Sequence, residues 1–126
     1  MMNRLKMCAW YLLFMAAFHT AVGLLLHFNP LVAVILDGAG TVAQPHFDRL
    51  AILWFMFSGA LMFVVAFFAL WSVNQTGTIP RFLGYTFLIF GIGGGLILPV
   101  SGFWLYIPVA LTLLFHHHHK PTGHPA

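Results

Sequence analysis

Three long stretches of the chain carry no Asp, Glu, Lys or Arg: residues 7–36, 50–80 and 82–119. A helix needs about 20 predominantly apolar residues to cross the ~30 Å hydrocarbon core of a bilayer. The first two stretches each predict one such helix, over residues 7–27 and 50–72. The third is too long for one crossing and is interrupted at Pro99-Val100-Ser101-Gly102, residue types that stop a helix and turn the chain. It predicts a hairpin of two short helices, 82–98 and 100–115. The expected fold is all-α, a four-transmembrane-helix bundle in a single membrane domain of residues 1–126, ending in a histidine-rich tail from residue 116.

The segments between these helices are short. Pro30 can open a short helix, and the apolar run 31–36 suits the membrane interface. Asp37-Gly38-Ala39-Gly40 reads as its stop, Gln44-Pro45 as a second turn, and Asn74-Gln75-Thr76-Gly77 as a polar turn on the opposite side. No internal repeat and no soluble domain is visible.

Composition agrees with a lipid solvent. Hydrophobic residues make up 61% of the chain and charged ones 6%, whereas soluble domains carry roughly a quarter charged. So small a domain has too little interior to hide that much apolar surface from water. The net charge of +3 comes from only five Lys and Arg residues, scattered along the chain. Nucleic-acid binding, which needs a clustered basic face, is not expected.

The basic residues set an orientation. In this threading Arg4, Lys6, Arg81 and Lys120 fall on one side and Arg49 on the other, so the positive-inside rule puts both termini in the cytoplasm. Trp10, Tyr11, Trp71 and Tyr85 then fall near the inner boundary, and Trp54, Trp104 and Tyr106 towards the outer one. A three-span threading would instead place the tail outside. Arg4 and Lys6 could head a signal peptide, but the apolar run that follows is longer than the usual 7–15 residues. An uncleaved first span is expected, in a multi-pass membrane protein with both termini in the cytoplasm.

Candidate chemistry is sparse. His19 is the most unusual position, since an ionisable residue within a span normally faces the bundle interior. It lies about 12 Å below the outer end of its helix at 1.5 Å per residue, and Ser58 and Gly91 share that depth. Ala16, Thr20 and Gly23 form a small-residue stripe beside it. His19 can bond Ser58 or a backbone carbonyl and hold the bundle together, or it can touch a ligand. Gly91-x-Gly93-Gly94-Gly95 pairs Gly91 with Gly95 in a Gly-x-x-x-Gly spacing, which admits close backbone approach. The partner could be a helix of this chain, another subunit or a second copy; a flat ligand could also use the space. Ser101 and Trp104 complete the candidate polar set.

Other chemistry is disfavoured. Bis-histidine haem needs two histidines at one depth on facing helices, and His27 lies on the same helix face as His19. The one cysteine, Cys8, excludes a Cys-based zinc site. His27 and His46 with Asp37 or Asp48 are weak candidates for a surface metal site, as are His116, His117, His118 and His119 in the tail. No carboxylate, Lys or Arg lies inside a predicted span, so independent ion transport is not expected. Ser58 and Ser101 lack an orienting acid, and an enzyme could use only His46 with Asp37 or Asp48 at the outer face. Arg49 can pair with Asp37 or Asp48, tying the outer loop across the helix ends.

Nearly the whole chain resembles a bacterial family of small four-span integral membrane proteins of unknown function. The likeness rests on His19-Thr20-x-x-Gly23, Asp37-Gly38, Arg49-x-Ala51-x-x-Trp54-Phe55 with Gly59, Ile79-Pro80-Arg81-x-x-Gly84, and Pro99-x-Ser101-Gly102-Phe103-Trp104-Leu105. The last block is the most specific, and the histidine tail stands outside the pattern. The resemblance implies the four-span architecture and no reaction. Two functions are therefore expected to compete. One is a non-catalytic accessory or structural subunit packing against a larger membrane complex. The other is a binding protein for a quinone, pigment or lipid in an outward-facing pocket near His19.

Overall fold

The computed structural model describes residues 3–38 and 46–116. They form five α-helices and a 3-10 turn: α1 (Arg4–Leu26), α2 (Phe28–Asp37), α3 (Phe47–Thr76), α4 (Arg81–Ile97), the 3-10 turn Gly102–Leu105, and α5 (Tyr106–Phe115). No strand occurs among the described residues. The helices fall into two compact units, Met1–Gly77 and Thr78–Ala126. Two helices, α1 and α3, are long and apolar enough to cross a membrane; α2, α4 and the segment Gly102–Phe115 are shorter apolar helices.

Local chemistry sets the helix ends of the first unit. Asn3 caps α1, its side-chain oxygen accepting from the Leu5 N–H at 3.3 Å. A single residue, His27, separates α1 from α2: its N–H bonds the Gly23 carbonyl, and its carbonyl accepts from Leu31. Pro30 falls in the first turn of α2, where its missing N–H costs no helical bond. Gly38 ends α2 at φ 91°, a conformation that side chains disfavour. Helix α3 is longer than the sequence predicts at both ends. Residues 74–76, read above as a turn, are its last helical residues, and Gly77 closes it in the left-handed conformation at φ 70°.

Helices α1 and α3 pack antiparallel, Thr20 facing Gly59 while Gly23 faces Phe55 and Met56. The α1 seam runs Leu5, Ala9, Leu12, Ala16, His19, Gly23. The α3 seam runs Ile52, Phe55, Gly59, Met62, Ala66, Ala69, Val73. Both alternate steps of three and four, the spacing that keeps one stripe on a partner helix. Ala9, Ala16, Ile52, Ala66 and Ala69 are fully buried, and small residues in such a seam let the backbones approach closely.

The second unit is an antiparallel hairpin in which bulky side chains cover glycines. Gly84 lies under Leu113 and Leu114, Gly91 under Ile107, Gly94 under the Phe103 ring, and Gly95 under the Trp104 indole. Phe87 stacks on Tyr106 with ring centroids 5.3 Å apart. The returning arm differs from the continuous helix expected over residues 100–115. Residues 98–101 are non-helical, a 3-10 turn follows, and only ten residues are α-helical. Pro99 biases Leu98 out of the helical region, and Ser101 caps the 3-10 turn instead of an α-helix, its hydroxyl oxygen accepting from Phe103 N–H at 3.4 Å.

Candidate functional site

The polar residues of the first unit converge on Phe55. His19 Nε2 lies 3.1 Å from the Phe55 carbonyl oxygen and 3.0 Å from Ser58 Oγ. The Ser58 hydroxyl donates to the same carbonyl at 2.8 Å. The His19 ring lies flat on the Phe55 ring, centroids 3.9 Å apart and planes within 7°. Side chain, backbone and ring thus form one clasp between α1 and α3, and Gly59 leaves it room: a Cβ there would lie 2.7 Å from Thr20 Oγ1 and 3.3 Å from His19.

The roles of His19 and Ser58 in this network follow the tautomer of the imidazole. A carbonyl oxygen can only accept, so a hydrogen bond to Phe55 takes a proton on Nε2, whereas the other tautomer leaves Nε2 to accept from the Ser58 hydroxyl. With the proton on Nε2, Ser58 directs its own proton at that carbonyl and presents a lone pair to the ring. A general base would need Nε2 unprotonated and facing the serine hydroxyl proton. His19 and Ser58 stand at nucleophile–base distance, and in either tautomer their contact joins α1 to α3.

One turn beyond the seam, His27 tilts against the other part of Phe55, with centroids 5.9 Å apart. Its Nδ1 is shielded and has no hydrogen-bond partner among the described residues. At the junction of α2 and α3, Arg49 Nη2 donates to Asp37 Oδ2 at 2.7 Å. Asp48 lies in the first turn of α3, where a carboxylate complements the positive end of the helix dipole. His46 is the N-cap of that helix and makes no side-chain capping bond. No group of three or more His, Cys, Asp or Glu that could hold a metal ion occurs among the described residues. His116 ends α5, and His117, His118 and His119 lie outside the described residues.

The remaining candidates sit in the second unit. Gly91 and Gly95 present their face to residues of their own hairpin: an added Cβ would meet Ile107 Cγ1 at 3.0 Å from Gly91 and the Trp104 ring at 2.6 Å from Gly95. Gly93 faces open space. Ser101 donates to the Leu98 carbonyl at 2.6 Å, and Trp104 Nε1 donates to the Pro99 carbonyl at 3.0 Å. The Pro99-x-Ser101-Gly102-Phe103-Trp104 block is a turn whose own side chains satisfy the carbonyls of Leu98 and Pro99, just beyond the end of α4.

Polarity alone passes over Phe55, Phe103 and Ile107. The available signal was periodic: Phe55 falls on the three-four stripe with Gly59 and Ala66, and the glycines of α4 need bulky partners from the facing arm.

A family model described as a family of unknown function, DUF6463, matches residues 3–120. The chain belongs to the DUF6463 family. The match takes in both helical units, the clasp and the Pro99 turn. It also runs through the four tail histidines, which the resemblance drawn from sequence blocks had left outside. Comparison with curated proteins and with solved structures found no match.

Proposed function

We propose that the protein is a non-catalytic integral membrane protein that crosses a bacterial cytoplasmic membrane four times and packs against other subunits of a larger membrane complex. The observation that carries this reading is the outer surface of α3. Trp54, Phe57, Leu61, Val64, Phe67 and Trp71 are all exposed, while the opposite stripe is packed on α1. A helix apolar on every side belongs in lipid or in a protein interior, and an exposed patch of this kind marks a membrane or protein contact.

The hydrogen bonding supports the same environment. Thr20, Thr76, Thr86 and Thr112 each return their hydroxyl proton to the carbonyl four residues back, at 2.8–3.0 Å. Such groups enter lipid without an unsatisfied donor. With α1 and α3 as full crossings and α4–α5 as a shorter hairpin, Arg4, Lys6 and Arg81 fall at one boundary and Arg49 at the other, which favours cytoplasmic termini.

The site geometry favours packing over catalysis, because His19, Ser58, Ser101 and Trp104 are spent on contacts between and within helices. Purification in mild detergent followed by mass spectrometry of the intact assembly tests the reading. Recovery with stoichiometric membrane subunits is expected; a monodisperse chain without partners, at full cellular yield, contradicts it.

One observation favours the second reading, a binding protein for a quinone, pigment or lipid. The shielded Nδ1 of His27 beside Phe55, without a hydrogen-bond partner among the described residues, offers a single polar anchor in apolar surroundings, the composition of small-molecule sites. On that reading, solvent extraction of the purified protein yields one equivalent of a ligand, and His27→Ala loses it while His19→Ala retains it.

A further inference from the structure

The arms of the second hairpin are short for a crossing. Helix α4 has 17 residues, about 25 Å at 1.5 Å per residue. The returning arm has four 3-10 and ten α-helical residues, about 23 Å in all. Against a ~30 Å hydrocarbon core, the helical part of a hairpin anchored by Arg81 at one boundary ends roughly 5–7 Å short of the other, which leaves residues 98–101 to turn at about the depth of that boundary.

The tip is built for that position. Residues 96–105 contain no charged side chain. Leu96, Ile97 and Leu98 are exposed, and Val100 is fully so. Turns that face water usually carry Asn, Asp or Ser with free polar edges. Here Ser101 is turned inward onto the Leu98 carbonyl and the Trp104 indole onto the Pro99 carbonyl, at 2.6 and 3.0 Å. Lipid-exposed irregular backbone does not occur within the hydrocarbon core itself, so a turn with these two carbonyls satisfied and an apolar rim suits the boundary between acyl chains and glycerol groups. Trp104, which stays partly exposed, has the amphipathic indole that favours the headgroup boundary.

We infer that the tip of this hairpin, centred on Val100, rests at the boundary between the acyl chains and glycerol groups of the outer leaflet and does not project into the external water. The inference rests on the proposed reading in which this hairpin enters the membrane from the cytoplasmic side. Lipid is the occupant of its apolar tip, and the Pro99–Trp104 block is the device that lets the backbone turn there.

The test uses the full chain with Cys8→Ala and single cysteines placed by Val100→Cys, Ile97→Cys, His46→Cys or Gln75→Cys. A membrane-impermeant maleimide is applied to intact cells and to opened membranes. Labelling at position 46 in intact cells, and at 75 only after opening, is the pattern of the four-span reading; the reverse pattern overturns that reading alone. Positions 97 and 100 are expected to resist the reagent in both preparations. Nitroxides attached there through a permeant reagent are then expected to collide more with oxygen than with a water-soluble nickel chelate. Labelling of position 100 from either side, or greater collision with the chelate, overturns the inference by placing the tip in water. Protection from both oxygen and chelate overturns it in favour of a protein partner. The Ile97 variant carries the test if the Val100 variant does not accumulate.

Discussion

The two helical units solve one problem, burying an apolar helix pair, in opposite ways. In the first, small residues line both sides of a seam, Ala9, Ala16 and Gly23 against Gly59, Ala66 and Ala69, and a polar clasp at His19 pins the register. In the second, glycines on α4 are covered by bulky side chains of the returning arm: Phe103, Trp104 and Ile107 cover Gly94, Gly95 and Gly91. The first arrangement permits long, closely spaced helices. The second permits a short hairpin with a tight turn, because the aromatic side chains that fill the glycine face also brace the tip. Polar groups follow the division. They cross between helices in the first unit and stay within the turn in the second.

Overfilling either seam gives the largest expected effect. Gly95→Leu pushes into the Trp104 ring and Gly59→Leu into Thr20 and His19. Overpacking costs about 1–3 kcal/mol, occasionally more, and both variants are expected to lose the folded monomer in a detergent thermal melt. Gly93→Leu faces open space and is expected to melt with the wild type. Trp104→Ala comes next. It empties the glycine face and frees the Pro99 carbonyl, for about 2–3 kcal/mol given partial exposure; Trp104→Phe, which keeps most of the bulk, is expected to recover more than half of the loss.

The clasp is expected to matter less. Interhelical hydrogen bonds in membranes average about 0.6 kcal/mol, and ring stacking adds about 0.5–1.5 kcal/mol. His19→Ala should therefore cost about 1–2 kcal/mol and Ser58→Ala less, with a double-mutant cycle in reversible unfolding giving a positive coupling. Additive effects would show that the two side chains do not act together. The smallest effect is assigned to the Asp37–Arg49 pair, whose carboxylate side is half exposed. Asp37→Asn is expected to change stability by about 0–1 kcal/mol, and raising the salt concentration should reduce the difference.

The level at which two side chains meet along one helix pair was legible in the sequence; rotation about the helix axis was not. Counting residues from the helix ends paired His19 with Ser58, and their side chains meet. The same counting put Gly91 at that depth without saying which side chain it faces, and the answer, Ile107, depends on how α4 and α5 turn towards each other. Phe55 was hidden for a related reason. Its contribution is a backbone carbonyl and a ring face, and neither is announced by residue type in a chain with 14 phenylalanines. The stop at Gly38 was readable because its positive φ suits glycine. Residues 74–76 misread as a turn because polarity there marks the end of the apolar segment, while the helix itself continues until Gly77 supplies the left-handed cap. The returning arm misread because Pro99 announces a break but not the 3-10 geometry that carries Trp104 back to the Pro99 carbonyl.

The central claim, that both helical pairs lie in the membrane with their open ends in the cytoplasm, is tested most directly by sided reporter fusions. A phosphatase that is active only outside the cytoplasm and a fluorescent protein that matures only inside are fused in turn after Gly38, after Gly77 and after the last residue. The account predicts phosphatase activity at the first junction and fluorescence at the other two. Phosphatase activity at the final junction, or fluorescence at the first, would contradict it.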